Sequence, residues 1–233
     1  MKTAGLRVQE GVTALPPGVL FLEHTGSLVA ADLHLGYEEV VGGALPLWST
    51  QEQLDALAAL VREHRARELI LLGDILHGAR MSGAARRRIK EGLAAIEHTG
   101  CALIAVAGNH EGRTRGVEVL GQTVDGAFRD GWHLLHGDRP LARQGRAIIG
   151  HLHPSLRLGG LRSAPVFLYN EQLVVLPALT PYSPGLSVLS EECLRALRAW
   201  LPQPGSLHVA AVSGERLLPF AALAPLRGLL RQR

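Results

Sequence analysis

Five short segments of this chain carry side chains suited to a divalent cation, and each follows an apolar run that reads as a buried strand. They are Asp32-Leu33-His34, Gly73-Asp74, Gly108-Asn109-His110-Glu111, His136-Gly137-Asp138 and Gly150-His151-Leu152-His153. Donors at five separate strand ends reach one point only if those strands lie side by side in a sheet. That requirement confines the chain to an α/β architecture. The donors are Asp, Asn and His, with no cysteine among them. Hard oxygens and borderline nitrogens suit Mn, Fe, Zn or Mg rather than a thiolate-bound structural zinc. A lone Asp or His after a strand is usually a turn residue. Five such segments in series are not accounted for that way.

The stretches between the segments agree. Val19–Leu22 and Leu28–Ala31 flank His24-Thr25-Gly26-Ser27 and predict a β-hairpin. Ser49 with Glu52 predicts a capping box. The helix behind it would bury Leu54, Leu57, Ala58 and Val61 on one face. Strand Leu69–Leu72, a helix from Ala84 to His98 and strand Ala102–Ala107 follow, with Cys101 opening what reads as a central strand. This β-α-β-α-β order predicts parallel strands, right-handed crossovers and a site at the strand carboxyl ends. Beyond residue 130 come short strand-like runs at Trp132–Leu135, Arg146–Ile149, Val166–Leu168, Leu173–Leu176 and Leu186–Leu189. Residues 169–172 and Ser213-Gly214 read as hairpin connections. The second half is therefore expected to form a second sheet packed on the first.

No linker divides the 233 residues, so a single domain over residues 1–233 is expected. No apolar run reaches the roughly 18–20 residues of a membrane span. The N-terminus leads into charged residues rather than a signal-peptide core. With only Cys101 and Cys193, a reducing cytoplasmic setting is expected. The net charge is +3, and lysine occurs only at positions 2 and 90. Arginine suits bidentate phosphate contact, but an arginine bias also follows from a GC-rich genome, so charge does not establish nucleic-acid binding. Arg86-Arg87-Arg88 with Lys90 reads as a solvated helix face. Arg80, Arg113 and Arg115 lie in loops beside the metal-type segments and have the better claim on a substrate phosphate. Aromatics make up 4% of the chain and show none of the interleaving used for base stacking. His133 would point to the face opposite His136, which stands at a strand end before glycine and is preferred as a ligand. His24, His64, His98 and His208 read as surface or structural.

The motif series D-x-H, G-D, G-N-H-[DE], a lone His and G-H-x-H resembles the calcineurin-like metallophosphoesterase family over residues 28 to 154. The Ala-Asp-Leu-His-Leu-Gly-Tyr-Glu opening and Leu176-Pro177-Ala178 look like the bacterial DNA ligase-associated members. The resemblance implies a four-layer α/β/β/α sandwich of two packed mixed β-sheets. It implies two divalent metal ions, manganese ahead of Fe, Zn, Ni or Mg. Asp32, His34 and His153 would hold one; Asn109, His136 and His151 would hold the other; Asp74 would bridge. Two such cations act together on an in-line phosphoryl transfer. His110, beside a ligand, would serve as catalytic acid or phosphate donor, with Glu111 fixing local geometry.

One position departs from the pattern. Many members carry Asp three residues after the bridging Asp, as partner to the catalytic His. Here His77 stands there, as in diesterases of the family and the nuclease subunit of the double-strand-break repair complex. The departure points to a phosphodiesterase, with DNA or a cyclic nucleotide as substrate, His77 as a second catalytic residue, and a functional link to DNA ligase, helicase and DNA repair. A homodimer is a further expectation. The alternatives are a small-molecule diesterase or monoesterase, or a non-catalytic scaffold on the same fold.

Overall fold

Neighbouring residues of the central strands face opposite sides and enter different cores. The computed structural model describes residues 4–42, 47–78, 81–110, 116–140, 145–157 and 163–231. Strands β1 (Leu6–Gln9), β2 (Val12–Leu15), β3 (Val19–Leu22) and β4 (Ser27–Ala31) run antiparallel in succession. After α1 (Glu38–Gly42) and α2 (Trp48–His64), β5 (Glu68–Leu72) pairs parallel with β4. After α3 (Gly83–Glu97), β6 (Ala102–Val106) pairs parallel with β5. The first sheet thus has the order β1-β2-β3-β4-β5-β6.

The chain then passes through α4 (Val117–Leu120) into the second sheet. Its strands are β7 (Ala127–Arg129), β8 (Trp132–Leu135), β9 (Ala147–Ile149), β10 (Pro154–Leu156), β11 (Ala164–Tyr169), β12 (Leu173–Val175) and β13 (Leu186–Ser187). Past α5 (Glu191–Arg198), β14 (His208–Ser213) and β15 (Arg216–Ala222) form a hairpin on β11, and α6 (Leu223–Arg231) follows. β8 and β9 are parallel, as are β9 and β12.

Three buried apolar layers separate four structural layers. Leu28, Ala30, Leu69 and Leu71 face Leu54, Leu57 and Leu60 of α2 and Ile89, Leu93 and Ile96 of α3. Their strand neighbours Val29, Ala31, Ile70 and Leu72 meet Trp132, Leu134, Ile148, Phe167 and Val174 of the second sheet. Ala147, Ile149, Val166 and Leu168 then face Cys193 and Leu197 of α5 and Leu226 of α6. Apolar residues on both strand faces are what sheets buried between other layers require. This is the expected α/β/β/α sandwich. No helix among the described residues is long and apolar enough to cross a membrane.

Three sequence expectations fail. Ser49 does not cap α2. The helix starts at Trp48, its N-cap Leu47 makes no side-chain cap bond, and Ser49 is buried inside the first turn. The orphan amide of Thr50 is met from outside, by the buried Glu38 carboxylate at 2.7 Å, which also accepts from Thr50 Oγ1 at 2.8 Å. Cys101 precedes an edge strand, because β6 is last in its sheet. The Leu186–Leu189 run pairs only over Leu186–Ser187 before Ser190 caps α5 through the amide of Cys193.

Candidate active site

The described parallel strands aim their carboxyl ends at one seam. Asp32 follows β4, Asp74 follows β5 by way of Gly73, and Asn109 and His110 follow β6. His136 follows β8, and His151 and His153 follow β9. Asp32, His34, Asp74 and Asn109 therefore come from the first sheet, and His136, His151 and His153 from the second.

The main chain turns abruptly at these points. Asp32 (φ 53°), His34 (49°), Asp74 (43°), His151 (66°) and His153 (44°) all lie in the left-handed region. Only Arg65 and Asp130 share it among the other described non-glycine residues. A side chain held there is disfavoured by sterics at about 1–3 kcal/mol each, and such residues gather at functional sites. A strand cannot continue through this conformation, so the chain folds back over the sheet end. Two glycines make the approach of the segments possible. A Cβ on Gly73 would collide with the ring of His136, and one on Gly108 with the amide and carboxylate of Asp74.

Around Asp74 the donors converge on one point. His136 Nδ1 lies 3.3 Å from the carbonyl of Leu72, which takes its N–H and turns the Nε2 lone pair inward. Nε2 then faces Asn109 Oδ1 at 2.9 Å, His151 Nδ1 at 3.1 Å and Asp74 Oδ1 at 3.5 Å. Asp74 Oδ1 also accepts the amides of Asn109 and His110, both at 2.9 Å. Asp74, His136 and His151 each offer an atom within 4.8 Å of the others, a set able to hold a metal ion.

Asp32, His34 and His153 form a second such set. Asp32 is fully buried, and its Oδ2 accepts the amide of His151 at 2.7 Å. Its Oδ1 and His34 Nε2 are buried and lack hydrogen-bond partners. A buried acceptor left unmet is strongly unfavourable; a cation would meet both. His153 Nδ1 contacts Ser183 Oγ at 2.7 Å, leaving Nε2 3.5 Å from Asp32 Oδ1. Outer contacts of this kind fix the ring and direct the other nitrogen at a metal. The donor chemistry of both sets fits divalent cations.

The electrostatics agree. Burial pushes His34 down to about 3, helped by His153, His110 and His77 and opposed by Asp74. Burial, then His136, also lowers His151. Burial would raise Asp74, but His136, the amide of His110 and the rings of His110 and His34 outweigh it and hold the carboxyl low. Neutral imidazoles beside ionised carboxylates are the forms that ligate.

His77 and His110 sit on the open side of the cleft. His34, His77 and His110 form a third cluster with donors within 4.8 Å. His77 Nδ1 lies 3.3 Å from His34 Nδ1, and His110 Nδ1 lies 3.1 Å from the carbonyl oxygen of His77. His110 Nε2 is 3.8 Å from Asp74 Oδ2.

All seven expected ligands and both expected catalytic histidines thus meet at one place. Arg80, Glu111, Arg113 and Arg115 lie outside the described residues. His133 packs on Phe128 instead, and Arg86 pairs with Glu118 while Arg87, Arg88 and Lys90 are exposed. Sequence reading missed Ser183 and Thr180, whose amide donates to the carbonyl of Asp32 at 3.3 Å. It also missed Tyr37 and Tyr182, which line the cleft mouth. The only signals were the Gly-Tyr-Glu that ends the first motif and the proline-punctuated Leu176–Pro184 run.

Comparison with known proteins bears on the same residues. The family described as calcineurin-like phosphoesterase matches over residues 27–170. A crystal structure of Pseudomonas putida nuclease MPE aligns at TM-score 0.71, over 93% of this chain and 99% of that one, at 22% sequence identity. At that identity the likeness speaks to the fold. No curated protein sequence matches the chain.

Proposed function

Because the chain belongs to the calcineurin-like phosphoesterase family, we propose that it is a single-domain phosphodiester hydrolase working with two divalent ions, manganese first among them. Asp32, His34 and His153 would hold one ion, Asn109, His136 and His151 the other, with Asp74 shared. The observation that carries this reading is the convergence on His136 Nε2 of Asn109 Oδ1 at 2.9 Å, His151 Nδ1 at 3.1 Å and Asp74 Oδ1 at 3.5 Å. Bound at these donors, divalent ions supply Lewis acidity towards a phosphoryl group and a nucleophile at neutral pH.

The chain's own groups would bind and move protons. His110 donates its Nδ1 proton to the carbonyl of His77, which turns Nε2 to the cleft. Protonated there, Nε2 can donate to a phosphate oxygen or to the leaving alkoxide. A diester carries one negative charge and leaves as a poor alkoxide, so a proton donor matters more than for a monoester. His77 in place of a carboxylate keeps negative charge away from the phosphate and favours the singly charged diester. The nuclease among the structural neighbours makes nucleic acid the diester polymer to test first. A working place beside DNA ligase and helicase in repair fits the same reading.

The test is kcat/KM of manganese-loaded protein on matched aryl phosphodiester and phosphomonoester, with single-stranded DNA as a third substrate. A higher value for the diester is expected. A preference for the monoester overturns the diesterase assignment, and turnover indifferent to metal overturns the dinuclear one.

A further inference from the structure

The cleft has a second surface that the metal donors do not use. A cavity of about 220 Å³ opens beside His34, His77 and His110, and Tyr37 and Tyr182 line it as well. The two tyrosine rings stack, with centroids 4.6 Å apart and planes 16° from parallel. Tyr37 also meets the ring of His77 edge-on, at 4.4 Å and 73°. A run of rings therefore leads from His34 and His110 through His77 and Tyr37 to Tyr182 at the rim. Tyr182 is 42% exposed. The chain has only three tyrosines, and two of them are spent here rather than in a core.

Both rings are held by the same main chain that holds the metal donors. The amide of Tyr37 donates to the carbonyl of His34 at 3.2 Å. Its neighbours are clamped by buried Thr50: Gly36 donates to Thr50 Oγ1 at 2.9 Å, and Glu38 accepts from Thr50 as described above. On the other side, the amide of Tyr182 donates to Thr180 Oγ1 at 3.4 Å, and Thr180 is tied to Asp32. Ser183, the next residue, holds His153. The stack is therefore fixed relative to the place where a phosphate would sit. Tyrosine presents a large flat face with few rotatable bonds, so ordering it on binding is inexpensive. A contact that only closed the loops together would need no ring left open to solvent.

We propose that Tyr37 and Tyr182 form a specificity surface for a nucleobase. The substrate class is a nucleotidyl ester whose base stacks on the open face of Tyr182 while its phosphate lies at the histidine and aspartate donors. The inference rests on the phosphodiesterase reading and narrows it. It also gives a base-stacking contact to a chain whose few aromatics show no stacking ladder, because one built pair suffices for one base.

The experiment compares ligands that differ only in the base. Manganese-loaded protein is titrated calorimetrically with thymidine 5′-monophosphate and with deoxyribose 5′-phosphate. Stacking of one base on an aromatic side chain corresponds to about 5- to 150-fold in affinity. The nucleotide should bind tighter by a factor in that range. Tyr182→Leu, which keeps apolar bulk and removes the ring, should abolish the difference, and Tyr182→Phe should keep it. Thermal unfolding of both variants should match the wild type, since Tyr182 lies at the surface. Further tightening with tetrathymidylate would identify a strand as the ligand; no gain would identify a small nucleotide. Equal binding of the two phosphates by the wild type, or a Leu variant that retains the preference, overturns the proposal. Hydrolysis of diesters with no base preference leaves the phosphodiesterase reading standing and removes the Tyr37–Tyr182 surface from recognition. A base preference with no diester hydrolysis does the reverse.

Discussion

The ring of His110 is held by the main chain of His77, not by its side chain: His110 Nδ1 lies 3.1 Å from the carbonyl oxygen of His77. A carbonyl survives every substitution at position 77. The tautomer of His110 is therefore independent of which side chain stands there. The ring of His77 is turned to His34 instead, with the two Nδ1 atoms 3.3 Å apart. The two histidines have separable roles, and different measurements should move when each is removed.

His110→Ala should lower kcat by about 10²–10⁴-fold, the usual contribution of a positioned acid–base group. Metal content should stay within error, because His110 is not among the proposed ligands. Inductively coupled plasma analysis beside steady-state kinetics checks both. Metal lost in proportion to rate would reassign the residue as a ligand.

His77→Ala should act mainly through His34. Removing a partner that orients a ligating histidine typically lowers metal affinity about 10–100-fold. Activity should therefore be recovered in large part at high manganese, while the half-saturating manganese concentration rises. His77→Asp should shift the ratio of diester to monoester kcat/KM towards monoesters, by bringing a negative charge to the phosphate side. A ratio unchanged in both variants would remove His77 from substrate discrimination.

Asp74, the proposed shared ligand, also holds the loop, since its Oδ1 accepts the amides of both Asn109 and His110. Asp74→Asn keeps an oxygen for those amides and removes the charge. It should lose both ions and at least about 10³-fold in turnover. In metal-free buffer its melting temperature should match or exceed the wild type. Asp74→Ala should lose the ions and also melt lower. One ion retained at full occupancy in the Asn variant would argue against a shared carboxylate.

Metal removal should be read in stability as well as rate. Asp32 Oδ1 and His34 Nε2 have no hydrogen-bond partner, and a bound cation would meet both. An ion present at a hundred times its Kd stabilises by about 2.7 kcal/mol. For a chain of this size that corresponds to roughly 5–10 °C in Tm. Scanning calorimetry with and without a chelator tests it, and an unchanged Tm would mean the donors do not bind metal in the folded protein.

Much of this site was legible because its signals are local. A buried strand is a run of adjacent apolar residues, and the proposed ligands stand within four residues of the strand end they follow. Asp32, Asp74, His136 and His151 needed no tertiary knowledge to be picked out. What was not legible depends on partners distant in the chain. Glu38 replaces Ser49 at the head of α2 because a helix amide donates to any nearby carboxylate. Cys101 was placed in a central strand because sequence order does not give sheet order. The Tyr37–Tyr182 stack joins two loops that only the closed sandwich brings together.

A further prediction concerns the seam away from the cleft. Arg129 donates to both carboxylate oxygens of Glu68, at 2.8 and 2.9 Å, joining the second sheet to the first, and Ser27 adds a bond at 2.9 Å. The Arg129 hydrogen bonds, then Ser27, hold the Glu68 carboxyl below its ordinary range against the effect of burial. A depressed carboxyl stabilises the fold above its unfolded pKa and loses that contribution as pH falls through the folded one. Glu68→Gln should thus destabilise by about 1–2 kcal/mol at pH 7. The gap between variant and wild type should close as pH falls below about 4. Denaturant midpoints at pH 7 and pH 3.5 decide it, and an equal gap at both would exclude an ionic origin.

The five left-handed residues at the strand ends have a consequence for anyone evolving this protein. Glycine adopts that conformation with no steric penalty, so at Asp32, His34, Asp74, His151 and His153 the backbone is easier with a residue that carries no donor. A library selected only for surviving heat in metal-free medium would drift to glycine at His34, His151 and His153, while the amides accepted by Asp32 and Asp74 would hold those two carboxylates in place. Selection for catalysis has to be applied in the same round, because at these three codons endurance and chemistry ask for different amino acids.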